Sequence, residues 1–119
     1  MIKVIYVEDD ALTGKICQHL FSLVPDTQLT IFTSGYDALA HLKSTSYDII
    51  LLDVGLNDIS GLEVASFIRN ELNLSSPIIA TSAHIDNSTE SPWVDEFIEK
   101  PLTLARIKQM LKEHSSSNG

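Results

Sequence analysis

Asp53 ends an unbroken apolar run, Ile49-Ile50-Leu51-Leu52. A carboxylate there gives up part of its hydration, so it needs a cation, hydrogen bonds or a chemical task. Other strand-like runs also close on polar groups. The run that opens the chain ends at Glu8 and Asp9, the run before residue 82 ends at Ser82, and a short run around Phe97 is followed by Lys100. Three carboxylates with one ammonium form an unfavourable cluster unless a hard divalent cation joins them, and Mg²⁺ prefers such oxygen ligands. A carboxylate can also act as a nucleophile and form an acyl phosphate, with the metal and the ammonium offsetting charge on the transferring phosphoryl group. That chemistry requires the four polar ends to converge.

Convergence depends on the elements that carry them. Runs rich in β-branched residues alternate with helical patterns about five times, the βαβ rhythm of an α/β domain with a parallel sheet. The predicted strands are residues 3–7, 28–33, 48–53, 77–81 and 96–98. In an open parallel sheet their carboxyl ends face one crevice, where such folds bind ligands. Leu12, Ile16, Leu20 and Leu23 repeat at helical spacing and predict the apolar face of a first helix, with Asp10 as its N-cap and Pro25 beyond its end. Ala38, Leu39 and Leu42 mark a second helix, Leu62, Ala65, Ile68 and Leu72 a third, and Leu104, Ile107 and Leu111 the last. Between the fourth and fifth strands, HIDNSTESPWV offers only Ile85 before Pro92. A fourth helix there is expected to be short, distorted or missing, with Trp93 packed over the gap. The domain is expected to span residues 1–113. Residues 114–119 lack apolar periodicity and read as a flexible tail or the start of a linker.

Composition narrows the function classes. A chain of 119 residues, 44% hydrophobic, suits one domain with a single core. A formal net charge of −8 without clustered Lys and Arg argues against binding nucleic acid. The apolar opening is interrupted by Lys3 and is too short for a membrane span or a signal segment, so the expected location is cytoplasmic. The single cysteine, Cys17, has no internal disulfide partner and reads as a packed thiol.

The pieces VEDD, DIILLDVGLNDISGLEV, PIIATSA and FIEKP, in this order at successive strand ends, resemble the receiver domains of two-component response regulators. The resemblance covers nearly the whole chain, and GLNDISGLEV leans toward receivers of hybrid histidine kinases. It implies a flavodoxin-like, doubly wound fold with five parallel strands in the order 2-1-3-4-5. It further implies that Asp53 is phosphorylated by a histidine kinase or histidine phosphotransfer protein. Mg²⁺ would be held by Asp9, Asp53 and the Gly55 carbonyl, with Glu8 acting through a bound water. Ser82 would hydrogen-bond the phosphoryl group, Lys100 would pair with it, and Phe97 would turn inward when the Ser82 hydroxyl is recruited. The Lys100–Pro101 bond resembles one that is usually cis. Such a domain catalyses its own phosphorylation and dephosphorylation and turns over no external metabolite.

Several positions depart from the family pattern. Asn57 stands where proline is common, and Ser82 keeps the hydroxyl of the more frequent threonine without its methyl. The stretch between Ser82 and Lys100 is about four residues shorter than usual, roughly one helical turn, which puts the usual output surface in doubt. The rival reading is a pseudo-receiver, an interaction module that works without phosphate. A phosphatase of the haloacid dehalogenase type would need a second Asp where Gly55 stands, and VEDDALTG would repel the phosphate of a flavin. His84, two residues past Ser82, reads as a solvated loop residue.

Overall fold

The structure, a computed structural model, describes residues 1–115. Strands β1 (Ile2–Val7), β2 (Thr27–Phe32), β3 (Ile49–Asp53), β4 (Ile78–Ser82) and β5 (Glu96–Glu99) form one parallel sheet ordered β2-β1-β3-β4-β5. Helices α1 (Ala11–Ser22), α2 (Gly35–Leu42), α3 (Gly61–Asn70) and α4 (Leu104–His114) cover its two faces. The fold is thus the doubly wound order expected. β3 is central and buried at all five positions, which is why it reads as a continuous apolar run rather than an alternating one.

Side chains alternate across the pleat into two cores. Ile5, Val7, Ile50, Leu52 and Ile78 pack with Ala38, Leu39, Leu42, Val64, Ala65 and Ile68 of α2 and α3. Val4, Tyr6, Ile49, Leu51, Ile79 and Ile98 pack with Cys17 and Phe21 of α1 and with Ile107, Met110 and Leu111 of α4. Cys17 is a packed thiol, as expected, and burial pushes its pKa up to about 11.

Of the apolar face expected for α1, only Leu20 packs against the core. Leu12, Ile16 and Leu23 are 66%, 49% and 52% exposed, while Gly14, Cys17 and Phe21 are buried. The helix is turned by about one residue, or roughly 100°. Small side chains at 14 and 17 let its axis approach the sheet, and a Cβ at Gly14 would sit 3.4 Å from Ile31. Asp10 is the N-cap, its carboxylate accepting from the Thr13 amide and hydroxyl.

No helix forms between β4 and β5, so the expected weakness there is a complete loss rather than a short or distorted helix. Trp93 and Val94 pack against the α2–α3 core in its place. The segment is anchored at its end by Asp95, whose carboxylate accepts from the Ile78 amide at 2.8 Å and from Arg69 at 2.9 Å. Arg69 also donates to the Leu74 and Ser76 carbonyls. α4 runs to His114, whose ring bonds Glu96, and the last four residues of the expected tail lie outside the described residues.

Candidate functional site

Each acid is carried to the sheet mouth by an element that ends there. β1 closes on Val7, and the Glu8 amide still donates to the Phe32 carbonyl of β2, so Glu8 begins the loop while remaining buried at 1% exposure. Asp9 follows, and Asp10 starts α1. Asp53 is the last residue of β3 and 7% exposed. Its position is held by the Val54 amide on the Thr81 carbonyl and by Gly61, the first residue of α3. A Cβ at Gly61 would lie 2.2 Å from the Asp53 carbonyl oxygen, so only glycine lets α3 start this close to the strand end. Lys100 follows β5, and its amide donates to the Ser82 carbonyl.

One carboxylate oxygen from each of Glu8, Asp9 and Asp53 lies within 4.8 Å of the others. The Lys100 ammonium sits 2.7 Å from Glu8 Oε1 and 3.3 Å from Asp53 Oδ2. Burial drives the Glu8 pKa up, against the Lys100 hydrogen bond and the Asp10 amide that favour its charged form. Burial also works against the Lys100 charge, but the Glu8 hydrogen bond and the charges of Glu8 and Asp53 outweigh it and leave Lys100 above the usual lysine range. Asp9 Oδ2 accepts from the Asn57 amide at 2.8 Å, and Asp53 Oδ1 accepts from the Gly55 amide at 3.1 Å. The loop after Asp53 therefore folds back onto the acids it follows. It is pinned at its far side by Asp58, which accepts from the Ser34 hydroxyl and the Gly35 and Tyr36 amides at the start of α2. Burial would raise the Asp58 carboxyl, but these donors prevail and hold it at about 2. This tie stiffens a loop that lacks proline at Asn57.

The donor set fits a hard divalent cation: three carboxylates at one point, balanced by a single ammonium, with no soft ligand among them. A second acidic group, Glu96 with Glu113 and His114, involves β5 and α4, and there Glu96 is already paired with Arg106 and His114.

Glu8, Asp9, Asp53, Gly55 and Lys100 are thus brought together. Ser82 ends β4 nearby, but its hydroxyl donates to the His84 carbonyl at 2.9 Å and accepts from the His84 amide, turned into its own loop. Phe97 is half-buried on β5 opposite Ala80, on the sheet face it shares with Ser82. The His84 side chain is 77% exposed and faces Asp86. The Lys100–Pro101 peptide is cis. Sequence reasoning missed Tyr6, Thr81 and Gly61. The signals were a phenol inside a buried strand and a glycine directly after the α3 cap Ser60.

Fold and site together define a CheY-like α/β domain with an acidic, lysine-paired crevice at the carboxyl ends of its strands. Residues 4–112 match the response regulator receiver domain, and the chain belongs to that family. It is 32% identical over 126 residues to the hybrid signal transduction histidine kinase L of Dictyostelium discoideum, covering 97% of this chain and 7% of that protein. Among solved structures it resembles a CheY-like receiver domain from Methylobacillus flagellatus, at 25% identity and a TM-score of 0.84, covering 95% of this chain and 98% of that one. It also resembles the response regulator TrrA of Thermotoga maritima, solved in complex with Mg²⁺–BeF, at 28% identity and a TM-score of 0.79, with 95% and 98% covered. The chain spans between 7% and 20% of the length of three curated relatives that it matches. It is a receiver domain of two-component signal transduction, a class that interacts with histidine kinases, and its Glu8–Asp9–Asp53 cluster is consistent with a phosphoacceptor site. Among the described residues no helix is long and apolar enough to cross a membrane.

Proposed function

We propose that Asp53 is the phosphoacceptor of a two-component phosphorelay, taking a phosphoryl group from the phosphohistidine of a kinase or phosphotransfer protein. The observation that carries this is the placement of one ammonium, Lys100, on both Glu8 and Asp53 beside the Asp9 carboxylate. Asp9, Asp53 and the Gly55 carbonyl would hold Mg²⁺, with Glu8 acting through water. Bound there, the ion neutralises the acids and the incoming phosphoryl oxygens. TrrA, crystallised with Mg²⁺–BeF, supports this assignment.

A carboxylate oxygen of Asp53 attacks phosphorus, a P–O bond forms, and the P–N bond to the donor imidazole breaks, the imidazole leaving with the electron pair. The Gly55 amide orients Asp53 Oδ1 through a hydrogen bond. Lys100 transfers from Glu8 and Asp53 to the new phosphoryl oxygens. Ser82 gives up His84 to donate to the same group, and Phe97 turns into the space this opens. Water attack on phosphorus later releases phosphate and regenerates the Asp53 carboxylate. The exposed Leu12 and Ile16 of α1 suit a docking face for the donor helix. Ile16 shares a groove with Lys100, Pro101 and Leu102, so a helix laid there reaches the crevice.

The missing helix between β4 and β5 favours a second reading, a pseudo-receiver whose partner binding ignores phosphate. Intact mass after incubation with acetyl phosphate and Mg²⁺ separates the two. Gain of one phosphoryl group by the wild type, absent from Asp53→Ala and suppressed in Asp9→Ala, is the expected result. An unmodified wild type supports the pseudo-receiver.

A further inference from the structure

Tyr6 is among the largest side chains with no exposure at all, and it lies within β1 on the α1–α4 face of the sheet. A phenol hydroxyl in that setting is costly unless it is bonded. Its hydroxyl lies 2.9 Å from Thr81 Oγ1 and 3.2 Å from Glu8 Oε1. Glu8, Asp53 and Thr81 are the buried polar side chains among the described residues, so Tyr6 joins two of the three. The reach is unusual for a sheet. β1 and β4 are not neighbours, and the phenol must cross β3 to meet Thr81. Tyr6 is in register with Leu51 and Leu51 with Ile79, which puts Thr81 on the same face, two residues further toward the crevice.

Proton accounting gives the network a direction. An ionised Glu8 only accepts, and Tyr6 has one proton, so Tyr6 donates to Glu8. Thr81 then donates to Tyr6, its other acceptor being the Leu52 carbonyl at a marginal 3.5 Å. The chain runs from Thr81 through Tyr6 to Glu8 Oε1, the same oxygen that Lys100 holds at 2.7 Å. When Lys100 leaves for a group on Asp53, that oxygen keeps a donor only because Tyr6 is there. On the other oxygen, Oε2, the Asp10 amide remains.

We infer that Tyr6, backed by Thr81, is a positioning residue that holds the Glu8 carboxylate toward the cation site and lets Lys100 exchange partners. The inference rests on the Mg²⁺ assignment made above. The test is calorimetric titration with MgCl₂, combined with urea melts of the metal-free protein. Tyr6→Phe keeps the ring and removes the hydroxyl. It is expected to weaken Mg²⁺ binding about tenfold, the lower end of what losing a hydrogen-bond partner behind a metal ligand costs, and to lower stability by orphaning Thr81. Tyr6→Phe/Thr81→Val leaves no orphan, so stability is expected to return toward wild type while Mg²⁺ affinity stays weakened. A purely structural role predicts that both recover together. Affinity of Tyr6→Phe within about twofold of wild type, or recovery of affinity in the double variant, overturns the inference while leaving the site intact. Failure of the wild type itself to bind Mg²⁺ overturns the site and the inference with it.

Discussion

Two helix glycines should respond to alanine with opposite signs. At Gly61 an added Cβ would stand 2.2 Å from the Asp53 carbonyl oxygen and 2.9 Å from Val54 Cα. Ordinary non-bonded contact needs roughly 3.5 Å, so strand and helix must part by more than about 1 Å. Both atoms met are backbone, so no rotamer can relieve the overlap. Overpacking of this kind costs about 1–3 kcal/mol, and a first-turn position recovers only part of the roughly 1 kcal/mol by which alanine outranks glycine in a helix. Gly61→Ala should therefore lose about 2 kcal/mol, or about 8 °C in Tm for a domain of this size. Gly14, inside α1, is the control. Its Cβ would meet only the Ile31 side chain, Cδ1 at 3.4 Å and Cγ2 at 3.8 Å, so Gly14→Ala should gain about 0.5 kcal/mol. Urea melts of both variants measure the pair. A Gly61→Ala protein as stable as wild type would refute the claim that backbone approach at Asp53 sets where α3 begins, and with it the account of how Asp53 is held.

Three other outcomes are expected. In native-state hydrogen exchange the amides of residues 83–94, which make few backbone hydrogen bonds, should exchange well before those of β3 and β4; slow exchange there would mean that Trp93 and Val94 anchor a cooperative unit. Ser82→Ala should still take up a phosphoryl group at Asp53 but lose most of the Phe97 ring response to beryllofluoride seen by NMR, and an equal, full response in both proteins would break the proposed coupling. Asp58 has a folded pKa below its unfolded one, so the stability it contributes is present above the unfolded value of about 4 and lost as the pH falls toward about 2. The stability gap between wild type and Asp58→Asn should accordingly narrow across that window, and a gap constant with pH would show that Asp58 acts through packing alone.

Much of this protein is determined locally and is therefore legible in the sequence. The Ile49–Leu52 run is fully apolar because a central parallel strand is covered on both sides, and that same run carries Asp53 to the strand end. The Asp10 cap acts within one turn, and strand order with the meeting of Glu8, Asp9, Asp53 and Lys100 follows from the family pattern. Other features depend on partners far away in the chain. Periodicity shows that α1 has apolar positions, but the space beside Ile31 decides that Gly14, Cys17 and Phe21 turn inward while Leu12 and Ile16 face out. The bond between Tyr6 and Thr81 joins residues 75 apart across an intervening strand. Local propensity carries no trace of such a pairing, because the cost of burying each hydroxyl is settled only when the sheet brings the two together. The same holds at Gly61, where the requirement for glycine comes from the Asp53 carbonyl against which α3 packs.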